Sequence, residues 1–148
     1  MEKELSAIEH QINNILFWLS IFVTVVAMVM MLIGFFSRGE FPQTGIGMFY
    51  IGVLLIYSLH KEALRWLEER DLQKRDRKGE YFVYTWIIMT ALLYLINFFS
   101  KDYYRFDNEG VRLPTLFEIT ATTLEVGGVF ILTRIIKTVF HAFVMQKK

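Results

Sequence analysis

Long apolar stretches alternating with short polar ones set the plan of this chain. Ile15 to Phe36 carries no charged residue and meets the length of about 20 residues that a helix needs to cross the hydrocarbon of a bilayer. Upstream, Leu5, Ile8, Ile12, Ile15 and Leu16 recur at helical spacing, with Glu4, Glu9, Gln11, Asn13 and Asn14 between them. The pattern predicts an amphipathic helical lead-in over 3–14 that feeds directly into a first span over 15–36. The alternative is a lead-in lying flat on the membrane surface. Ser37 to Pro42 predicts a turn, and 41–59 a second span opened by Pro42 and loosened by Gly45, Gly47 and Gly52.

The block from His60 to Glu80 lacks proline, and its Asp71/Arg75 pair has the acid on the favourable N-terminal side. It predicts a cytoplasmic extension of the second helix over 60–78, with Gly79 as its stop. A third span follows over 81–99. Asp107, Asn108 and Gly110 mark a loop, and a fourth span over 116–136 continues towards Met145. The expected fold class is therefore all-α, an integral membrane four-helix bundle with an extended second helix, and 1–148 forms one domain.

Composition agrees with the pattern. The apolar set makes up 54% of the 148 residues and aromatics 16%, with 14 Phe. The net charge of +1 offers nothing to nucleic acid. The absence of cysteine excludes disulfides, thiolate metal sites, a Cys nucleophile and iron–sulfur chemistry. The first apolar run is too long for a signal-peptide core and lacks a cleavage pattern, so it is expected to remain as a span.

Basic residues set the orientation. With the N-terminus inside, the outer side holds only Arg38, Lys101, Arg105 and Arg112, and the inner side three times as many basic residues. The chain is thus expected in the plasma (inner) membrane, multi-pass, with both termini cytoplasmic. Trp18, Trp66 and Trp86 fall near the inner interface and Tyr103 and Tyr104 near the outer, as aromatic-belt positions.

The fourth span carries the candidate chemistry. Thr115, Glu118, Thr122 and Glu125 stand at steps of three or four and predict one polar stripe. Its eleven Leu, Ile, Phe and Val residues contribute roughly −0.3 to −0.6 kcal/mol each to insertion. Two central acids cost about 2.5–3.5 kcal/mol each, which nearly cancels that gain. Such a helix needs its neighbours. Glu118 follows Thr115 by three positions, the spacing of a capping box. Glu125 has no such structural role. It reads as a proton or cation site, as one member of an acidic ring in an oligomeric pore, or as a hydrogen-bonded link between helices.

Other motifs carry less. Arg134 and Lys137 read as snorkelling interface anchors rather than as a voltage sensor. His10, His60 and His141 fall at one membrane surface, so a shared metal or bis-histidine haem site is geometrically possible, though no ligand spacing supports it. No metal or other cofactor is expected. Asp107-Asn108-Glu109-Gly110 is too short for a calcium loop. No nucleophile elbow, glycine-rich phosphate loop or HExxH motif occurs, and no enzymatic activity is expected. Arg65, Trp66, Arg70 and Lys74 are the candidate docking residues of the cytoplasmic extension. The sequence thus points to an oligomeric ion-conducting (channel) or transport-related membrane component, with the stripe lining the pathway. The alternative is a non-catalytic interaction subunit that docks a partner through 60–78.

Overall fold

The computed structural model of the protein describes residues 2–41, 45–67 and 78–145. Four helices account for nearly all of them: α1 (Glu2–Phe36), α2 (Ile46–Leu67), α3 (Lys78–Phe99) and α4 (Thr115–Met145). A 3-10 turn at Tyr103–Arg105 is the remaining helical element, and no strand occurs among the described residues. The chain is all-α. Three stretches are long and apolar enough to cross a membrane: Gln11–Phe36, Glu80–Phe99 and Thr115–Ile136.

Helix α1 runs without a break through the lead-in and the apolar run. Its internal hydroxyls do not interrupt it, because Ser20 donates to the Leu16 carbonyl at 2.8 Å and Thr24 to the Ser20 carbonyl at 2.6 Å. Two residues with positive φ end it, Arg38 at 53° and Gly39 at 86°. A side chain on Gly39 would sit at a strained positive φ and displace the end of the Leu113 side chain, 2.6 Å away, so glycine suits this position.

The second helix departs from expectation at its start. It begins at Ile46, after Gly45 turns the chain at φ 89°, rather than at Phe41 and Pro42. Its uncharged part, Ile46 to Leu59, is about 21 Å long, against a hydrocarbon thickness of about 30 Å. That shortness separates α2 from the other three helices. Beyond Leu67 the expected extension lies outside the described residues. Gly79 does not stop a helix. It sits in the first turn of α3, where Glu80 favours the positive end of the helix dipole.

Helix α1 packs on α2, α2 on α4, and α4 on α3. Phe17 of α1 closes the ring, with its centroid 5.9 Å from that of Tyr57 and 6.5 Å from that of Phe82. Met31, Phe35, Tyr50, Trp86, Leu93, Ile119 and Val126 fill the space between the helices and are fully buried. Trp86 is therefore a core residue and not an interface anchor, whereas Trp18 is 62% exposed.

The polar groups of the interior are tied together. Trp86 Nε1 donates to the Tyr50 hydroxyl at 3.0 Å, and Tyr50 is also hydrogen-bonded to Thr24. The Thr24 hydroxyl is also hydrogen-bonded to the Ser20 carbonyl one turn back. Polar contacts thus join α3, α2 and α1. Between α3 and α4, Thr90 Oγ1 and Thr123 Oγ1 stand 2.6 Å apart. Thr123 donates to the Ile119 carbonyl, which leaves Thr90 as the donor of that pair.

Candidate functional site

Helix α4 starts at Thr115, and the Glu118 N–H donates to the carbonyl of Pro114 at 2.9 Å. Pro114 thus holds the capping position, and Thr115 is already helical. The capping box expected from the Thr115–Glu118 spacing does not form, because a box needs the hydroxyl one residue earlier. Glu118 remains in the first turn as an acid near the positive helix end.

The stripe divides between two sides of the helix. Thr115 (8% exposed) and Thr122 (3%) are buried with Ile119, Thr123, Val126 and Val129. Glu118 is half-buried, and Glu125 is exposed. The cause is helical drift. Ten residues at 3.6 per turn fall about 80° short of three full turns, so a stripe that begins inside ends on the outer flank. Helix α3 meets α4 through Thr120, Thr123 and Arg134, and α2 meets it at Thr122. Glu118 and Glu125 follow Thr122 around the helix on the side away from α3, with Ala121, Gly128 and Leu132 beside them.

The two ends of the molecule are built differently. At one end Arg38 gathers the loop between α3 and α4. It donates to the Phe106 carbonyl at 2.9 Å, the Asp107 carbonyl at 2.6 Å and Asn108 Oδ1 at 2.7 Å. Its guanidinium also lies 4.1 Å from the centre of the Tyr103 ring. Asp107 Oδ1 accepts from the N–H groups of Glu109 and Val111, so this carboxylate serves the turn. At the other end Arg134 pairs with Glu80. The cation expected to snorkel alone has an acid at the head of α3, which reading α3 from Tyr81 concealed.

His60 is half-buried, and its Nε2 is enclosed without a hydrogen-bond partner, as is Asn13 Oδ1 on α1. His10 and His141 lie in α1 and α4. Among the described residues no three potential ligands come together for a metal. Arg65 and Trp66 fall in the last turn of α2, and Arg70 and Lys74 lie outside the described residues. No family model, curated protein or solved structure matches the chain. The fold and its apolar surface define the class, an all-helical protein with three helices fit to cross a membrane.

Proposed function

We propose that this is a small polytopic membrane protein that self-associates through the outer flank of α4 and carries an ion or proton at that interface. One observation supports it above others. Glu125 is an ionisable residue in mid-span, exposed on the outside of helices whose shared interior is filled. A carboxylate in hydrocarbon costs about 2.5–3.5 kcal/mol, and such groups normally face a pathway or a partner. The filled interior argues against a route through one protomer. Ala121 and Gly128, one turn to either side of Glu125, give a second helix room to approach.

The same layout fits a topology with both termini on one side of the membrane, the side that the bias of basic residues assigns to the cytoplasm. The Arg38 turn and the loop at 100–114 share one end, and Glu80 and Arg134 mark the other. The helices therefore alternate in direction. Counting α2 as a short fourth span, accommodated by local thinning of the bilayer, makes the number of crossings even.

The test uses the absence of cysteine. Leu124→Cys or Gly128→Cys should crosslink protomers in membranes, and Glu125→Gln should lower cation or proton flux into liposomes at least tenfold. Crosslinking with unchanged flux would sink the conduction step. No crosslinking on this flank would sink self-association through it. The second reading, an interaction subunit docking a partner through 60–78, rests on the same filled interior. It gains if Glu125→Gln leaves flux unchanged while a change within 60–78 releases a bound protein.

A further inference from the structure

A groove of about 590 Å³ opens on the surface between the start of α3 and the C-terminal half of α4. Tyr84, Phe130, Ile131 and Ile135 form its apolar walls, and the Glu80–Arg134 pair and Thr138 lie towards one end. From Phe130 to Thr138 the α4 wall runs about 12 Å. Glu80 opens one candidate span and Ile136 closes another. The ion pair therefore stands at the level where hydrocarbon gives way to headgroups, while Tyr84 and Phe130 lie deeper. On the membrane reading given above, an amphipathic molecule has its polar part at Arg134 and its chain along the groove.

The polar end has one feature that selects among lipids: it offers both signs of charge. Arg134 gives one N–H to Glu80 Oε1, its guanidinium lies 5.1 Å from the centre of the Phe130 ring, and its side chain is 63% exposed. Its remaining donors are open to a phosphate, which guanidinium groups bind well. The second oxygen of Glu80, on a side chain 20% exposed, has no hydrogen-bond partner among the described residues and can accept from a cation. Thr138 adds no donor, because its hydroxyl is committed to the Arg134 carbonyl at 3.0 Å.

We propose that this groove binds one phospholipid whose headgroup carries a primary ammonium, with the phosphate on Arg134, the ammonium on Glu80 and an acyl chain along Tyr84, Phe130 and Ile131. A purely anionic headgroup places its excess charge beside the Glu80 carboxylate. A choline headgroup has no N–H to donate. Only a zwitterion with a donating ammonium satisfies both partners.

The experiment reconstitutes the full chain in vesicles of equimolar phosphatidylethanolamine, phosphatidylcholine and phosphatidylglycerol, and counts co-purifying lipid by native mass spectrometry. Phosphatidylethanolamine should be retained over the other two. Glu80→Gln and Arg134→Gln should each weaken retention roughly tenfold, the size of one charge-assisted hydrogen bond. Exchanging the two (Glu80→Arg with Arg134→Glu) should restore much of it. Ile131→Trp should displace the lipid by filling the groove without touching the ion pair. Enrichment of phosphatidylglycerol, equal retention of all three lipids, or a second copy of the chain protecting Ile131 would overturn the proposal. The membrane reading itself fails separately, if the protein washes off membranes at alkaline pH.

Discussion

Tyr50 carries two obligations at once, accepting from the Trp86 indole and hydrogen-bonding with Thr24. Tyr50→Phe removes only the hydroxyl, yet it strands a buried donor on Trp86. Stranding a buried polar group costs about 1–3 kcal/mol. Thr90→Val strands nothing, because Thr123 keeps its bond to the Ile119 carbonyl, and it should cost about 0.6 kcal/mol, the average for hydrogen bonds between membrane helices. Unfolding titrations in mixed micelles should therefore rank Tyr50→Phe clearly below Thr90→Val. Equal losses would mean that the chain from α3 to α1 is not coupled. None of these partners could be read from the sequence, where Trp86 and Tyr50 are merely two aromatics in apolar runs. The acid on α4 was legible as unusual. Its direction was not, because steps of three and four look like one line until the drift over ten residues is added.

Among the elements, α2 depends most on a single close approach. A methyl group at Gly47 would stand 2.7 Å from Thr122 Oγ1, whereas Gly52 has open space around it. Gly47→Val should force α2 and α4 apart, at a cost of about 1–3 kcal/mol, as overpacking does elsewhere. Gly52→Ala should instead stabilise by roughly 0.5–1 kcal/mol through the backbone. Thermal melts of both variants check the opposite signs, and Thr122→Ala should recover part of the Gly47→Val loss. The helices themselves were legible, since an uncharged run of span length admits little else. The start of α2 was not. Pro42 is a conspicuous helix-opening signal, whereas the positive φ that turns the chain at Gly45 leaves no trace in a hydrophobic pattern. The paired state of Arg134 was hidden for a related reason, because Glu80 joins α3 three residues inside a helix that hydropathy alone begins at Tyr81.

At the scale of the whole molecule, Arg38 holds two connections together at one end. Arg38→Met should leave the helices in place and free the loop at 100–113. Losing three charge-assisted bonds should raise hydrogen exchange or proteolysis there at least tenfold, as a local opening short of global unfolding. Arg112→Met, on an exposed residue of the same loop, is the control and should change neither. Counting basic residues by side places Arg38 and Arg112 together as equals. Only the fold shows that one of them organises the loop.

The span of that clamp along the chain has a consequence for biosynthesis. Arg38 and Asn108 are 70 residues apart in sequence, and ribosomes add roughly 5–20 residues per second. Arg38 therefore waits about 4–14 s for the carbonyls it will bind. During that interval α1 and α2 stand as a hairpin with an uncommitted guanidinium at its tip. Its engagement becomes possible only when the segment preceding α4 has emerged. The clamp is thus a late contact in synthesis, one that closes only after three of the four helices have been made.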